Sequence, residues 1–104
     1  MIYYYNKLVR DKIIYNIKNK GHKCDYTILN KEDYIKELDR KLLEEANEVI
    51  ESHSAEEIGD LLEVINAIMI QHNISKEDVK AAMEQKRKTK GAFEKKIYLN
   101  SVEE

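Results

Sequence analysis

The sequence predicts an all-α fold, a four-helix bundle, and three observations carry that prediction. Proline is absent and there are only three glycines among 104 residues, so little interrupts a helix. Leu, Glu, Lys and Ala, all strong helix formers, are abundant. Apolar residues recur at steps of three and four, behind recognisable capping residues. The length is that of one domain, and residues 1–104 are read as a single one.

Leu8, Ile13, Ile14 and Ile17 stand near helical spacing and Gly21 follows as a stop, which predicts a first helix over about residues 9–20. The stretch HKCDYTILN carries no stripe and reads as a loop or short extended segment. Asn30 with Asp33 is a capping arrangement, and Ile35, Leu38, Leu42, Ala46 and Val49 then define one face of a long helix ending near Ser52. Ser54 opens SAEE, a capping box with Glu57, ahead of the broad stripe Ile58, Leu61, Leu62, Ile65, Ile68 and Met69. This third helix is expected to form the core. Ser75 and Asp78 cap a fourth, more exposed helix carrying Val79, Ala82 and Met83 up to Gly91. The ending reads as a loop with a short extended segment around residues 96–99.

A net charge of -2 from 18 basic and 20 acidic side chains argues against a nucleic-acid polymer as partner. Cys24 is the one cysteine and cannot pair within the chain. No apolar run approaches membrane-spanning length and the N-terminus lacks the apolar core of a signal peptide, so a reducing cytoplasm is expected. His22, His53 and His72 share no ligand spacing with one another or with Cys24, which argues against zinc. Tyr3, Tyr4 and Tyr5 suit packing better than base stacking.

Acids three apart are common in so acidic a chain, so direction must select among them. At roughly 100° per residue, with Leu42 as zero, Glu45 falls at about -60° and Glu48 at about -120°, whereas Glu44 and Glu51 lie near 180°. On the next helix, with Leu61 as zero, Glu57 falls near -40° and Asp60 near -100°, and Glu56 and Glu63 lie opposite. Each helix thus borders its stripe with one pair. A short connection makes the helices antiparallel neighbours and brings Glu45, Glu48, Glu57 and Asp60 to one seam. Four such carboxylates repel one another and call for positive charge. Oxygen ligands select a hard cation, and magnesium suits an open site completed by substrate phosphates, with manganese as a substitute. The plainer reading is a set of acids paired with Lys or Arg, with Glu57 completing its capping box; one carboxylate does not serve both purposes well.

The stretch LLEEANEVIESHSAEEIGDLLEVINAI resembles the MazG-like all-α nucleotide pyrophosphohydrolases, whose motif is EExxE followed by ExxD. Glu44, Glu45 and Glu48 match its first part, Glu57 and Asp60 its second. The resemblance implies magnesium ligands at Glu45, Glu48, Glu57 and Asp60, the four that direction selects. YNKLVRDKI, KRKTKGAF and KIYL are similar to the ends of the phosphoribosyl-ATP pyrophosphohydrolase-like branch. Ile14 stands where that branch often has Pro, Lys90 where Arg is usual, and Ala92 in place of a second Gly.

What the resemblance implies is attack of water between the α and β phosphates of a nucleoside triphosphate, giving a monophosphate and pyrophosphate. The substrates expected are non-standard nucleotides or, alternatively, phosphoribosyl-ATP of histidine biosynthesis. The proton acceptor is Glu44 or one of the four ligands, the latter preferred because Glu44 points away on the wheel. Lys7, Arg10, Lys12 and Lys90 are candidates for phosphate and Phe93 for another part of the substrate. Cations at the end of the fourth helix are, however, already favoured by its dipole. A shallow site and a broad apolar surface predict a homodimer or homotetramer. The rival from another class is a non-catalytic helical interaction module.

Overall fold

The computed structural model describes residues 1–104 and is all-α, with four helices and no strand: α1 (Ile13–Asn19), α2 (Lys31–Ser52), α3 (Ala55–Gln71) and α4 (Lys76–Lys90). The chain divides into two compact units, Met1–Asn73 and Ile74–Glu104, taken separately below. No helix is long and apolar enough to cross a membrane.

Three helix starts follow from local chemistry. The side chain of Asn30 accepts from the Asp33 N–H at 2.9 Å, Ser54 Oγ from the Glu57 N–H at 3.2 Å, and Ser75 Oγ from the Asp78 N–H at 3.0 Å. Each satisfies a donor that the first helical turn would leave unpaired, and each helix also carries two acids in that turn, where the dipole favours them.

Helix α1 lacks these aids. Its N-cap, Lys12, makes no side-chain cap bond and no acid lies in its first turn, so it starts at Ile13 rather than near residue 9. Gly21, at φ 80°, takes the chain out of the helix in the left-handed region that glycine enters freely.

In the first unit α2 packs against α3. Only His53 and Ser54 separate them. His53 adopts the left-handed conformation (φ 46°, ψ 41°) and its N–H closes α2 on the Val49 carbonyl at 2.8 Å, while Ser54 caps α3. A turn this short forces an antiparallel hairpin. Leu38 of α2, 5% exposed, is the one buried apolar residue.

The broad stripe on α3 is not fully covered, contrary to expectation. Leu61, Ile65, Ile68 and Met69 are half-buried, but Ile58 and Leu62 remain exposed. A stripe of that width exceeds what the single neighbouring helix can cover. In the second unit, α4 ends where the Gly91 N–H meets the Arg87 carbonyl at 2.9 Å. The extended segment expected at 96–99 forms no strand: Lys96 has a positive φ of 59°, outside the β region.

Replacing Ser54 by Ala removes the cap that starts α3 directly after the turn. It should cost about 1 kcal/mol in urea-unfolding free energy; an unchanged midpoint would show that the hairpin does not depend on it.

Candidate metal centre

The hairpin brings acids from two helices together. Glu45 lies about two turns before His53 and Asp60 about two turns after it, so antiparallel packing sets them face to face. One carboxylate oxygen from each of Glu45, Glu57 and Asp60 lies within 4.8 Å of the others. Glu45 is nearly closed off from water, at 8% exposure, whereas Glu57 and Asp60 are half-buried. Glu48, the fourth acid of the expected set, is exposed and outside this group, although its charge still acts on Glu57.

The choice between capping and ligation at Glu57 has a geometric answer. The helix start is capped by Ser54 alone, with no return bond from the Glu57 side chain, which leaves that carboxylate for the seam. Partial burial, followed by the charges of Glu48, Asp60, Glu45 and Glu56, pushes the Glu57 carboxyl above the usual carboxylate range. Several negative groups compete there for too little positive charge.

Three cations stand against the acids. Arg10 Nη2 donates to Asp60 Oδ1 at 2.7 Å and Lys7 Nζ to Glu44 Oε1 at 2.9 Å, both from the segment preceding α1. Lys41, one turn before the acids on α2, lies 3.2 Å from Glu44 Oε2 and 3.5 Å from Glu45 Oε1. The hydrogen bond from Lys7 holds Glu44 below the usual carboxylate range, with Lys41 acting in the same sense against partial burial. The same bond raises Lys7.

Glu44 is therefore not the water-facing acid that the wheel indicates: it is half-buried and held by two lysines. A wheel built on the α2–α3 contact has no knowledge of Lys7, 37 residues away in sequence. Lys41 is not among the sequence candidates either, although its spacing of three and four residues from Glu44 and Glu45 is the signal for a helical ion pair.

Three sequence candidates remain. Lys12 is exposed, makes no ion pair and serves as the N-cap position of α1. Lys90 closes α4 and Phe93 follows it, 99% exposed, both in the second unit. Compared with protein-family models, curated proteins and solved structures, the chain matches none.

The donor set fits a hard divalent cation. Magnesium with oxygen distances of about 2.1 Å spans about 4.2 Å between opposite ligands. The observed separations of up to 4.8 Å are thus within a small side-chain adjustment of that span.

The Lys7–Glu44 pair has a definite sign in pH. A carboxylate lowered in the folded state adds stability above its unfolded value, and that stability is lost as pH falls through the lowered one. Lys7→Met should therefore flatten the acid-side loss of stability below about pH 4.3. Because the pair is partly exposed, the difference should be under about 1 kcal/mol. Urea unfolding at several acidic pH values measures it, and parallel curves for parent and variant would remove the pair from the account.

Proposed function

We propose that the chain is a magnesium-dependent nucleotide pyrophosphohydrolase that releases a nucleoside monophosphate and pyrophosphate from a nucleoside triphosphate. The observation that carries this reading is the convergence of Glu45, Glu57 and Asp60 from two helices onto one seam. The likeness of EExxE and ExxD to the MazG-like motif supplies the chemistry. Glu45, Glu57 and Asp60 would hold the cation, with Glu48 at the rim of the site. Bound there, magnesium or manganese would neutralise phosphate oxygens and lower the pKa of water.

The chain's own groups divide the remaining work. Arg10 presents a planar fork suited to phosphate oxygens, and Lys7 adds a second positive charge on the same segment. Glu44 stays paired with Lys41 even when Lys7 turns to phosphate, and a carboxylate held by a cation is a poor proton acceptor, which leaves that task to a carboxylate of the seam.

The decisive assay is a panel of canonical and modified nucleoside triphosphates and phosphoribosyl-ATP with magnesium, reading pyrophosphate and monophosphate. Glu45→Gln and Asp60→Asn should lose at least about a hundredfold, the scale expected for groups that position a metal and its water; Glu63→Gln, on the exposed side of α3, should retain activity. Equal activity in all three variants would remove the seam from catalysis. Magnesium should also raise the melting temperature of the parent, because a ligand of the folded state alone stabilises it.

A non-catalytic helical module is favoured by one observation, the ion pairs that already join Arg10 and Lys7 to the acids. No pyrophosphate from any nucleotide would select it.

For assembly, we propose a homodimer or homotetramer. Leu43 and Ile50 on α2 and Leu62 and Ile70 on α3 stand exposed, Leu62 at 58%, beside a core with one buried apolar residue. Gel filtration at micromolar concentration should show an oligomer that Leu62→Glu shifts toward monomer. A strictly monomeric parent would refute this.

A further inference from the structure

Of the two cations in the N-terminal segment, Arg10 sits on an acid that the proposed metal centre needs and Lys7 on the neighbour of another. Asp60 belongs to the three-carboxylate group, and its Oδ1 already accepts from Arg10 at 2.7 Å. Glu44 adjoins Glu45 and is held by Lys7 at 2.9 Å. These contacts span 50 and 37 residues, so they are not the by-product of helix spacing that explains most surface ion pairs.

The segment has few other attachments. Residues 1–10 form no helix, Met1–Tyr5 are exposed, and Leu8 is the one residue before Arg10 that is even half-buried. Besides the half-buried Leu8, the two ion pairs are the attachments this arm makes to the hairpin.

We propose that the arm is a counter-ion latch, in which Arg10, assisted by Lys7, occupies the acidic seam and gives up Asp60 when a divalent cation is taken up. The latch rests on the metal reading of the seam. A guanidinium bonded to one ligand of a divalent cation would face a double positive charge at close range, so the two compete for Asp60. An exposed pair of this type is worth only about a twofold to fivefold factor in an equilibrium. Such a contact is strong enough to hold the arm in the absence of the cation and weak enough to yield to it.

Release also has a direction. Arg10, freed from Asp60, becomes available to phosphate oxygens, which suit its fork of donors as a carboxylate does. Uptake of cation before nucleotide is the order this arrangement favours.

The test uses the full chain, manganese as probe and a lysine-specific protease that needs no metal. Cleavage after Lys7 and Lys12 is followed by mass spectrometry, with cleavage after Lys23 as the internal reference. Manganese should speed cleavage at Lys7 and Lys12 in the parent. Arg10→Gln should be cleaved fast with or without manganese and should bind it two- to fivefold more tightly by calorimetry. Lys12→Gln makes the same change in charge at a residue without an ion pair and should gain less affinity than Arg10→Gln. If the parent binds manganese while its cleavage rate is unchanged, or if Lys12→Gln gains as much affinity as Arg10→Gln, the latch is wrong and the metal centre stands. If no variant binds manganese, the metal reading fails and the latch with it.

Discussion

Everything of functional interest in the first unit depends on the two-residue turn at His53 and Ser54. The left-handed His53 and the Ser54 cap stop one helix and start the next with nothing between them, so α2 and α3 must run antiparallel and in a fixed register. That register, not affinity among the side chains, forces Glu45 against Glu57 and Asp60. The acids would separate if the turn allowed it. Positive charge then gathers where the backbone has concentrated negative charge: Lys41 from within α2, Lys7 and Arg10 from the preceding segment.

The parts of this arrangement that were legible in the sequence are those decided within a few residues. The Asn30, Ser54 and Ser75 caps each pair with a donor three positions on, so the starts of α2, α3 and α4 can be read directly. The start of α1 cannot. Leu8 and Ile13 suggest a longer helix, but Arg10 and Lys12 are cations at its N-terminal end, where they oppose the dipole, and Arg10 is tied to Asp60 instead. A contact across 50 residues leaves no trace in local periodicity.

The same division runs through the site. Helix direction selects Glu45, Glu57 and Asp60 because they border the stripe that the hairpin packs. Glu48 lies further round than Glu45 and stays in water, near enough to act on Glu57 through its charge but not within the group. Glu44 escapes the wheel for the opposite reason: it is covered by a segment that the wheel does not include. Burial shows a matching error. The stripe on α3 marks apolar residues correctly but cannot tell whether this chain or another surface covers them, and Leu62 remains exposed.

The balance of charge at the seam gives the strongest physical reason to expect a cation there. Glu45, Glu57 and Asp60 crowd three carboxylates within 4.8 Å of one another. The exposed Arg10–Asp60 pair offsets only one of them and adds at most about 1 kcal/mol of net stability. Lys41 touches Glu45 at the longer distance of 3.5 Å, and Glu57 has no cation within ion-pair reach, which fits its raised carboxyl. The local cations thus reduce the repulsion without removing it. A divalent cation among the three carboxylates meets all of them at once, whereas in the arm Arg10 meets only Asp60 and Lys7 only the adjoining Glu44.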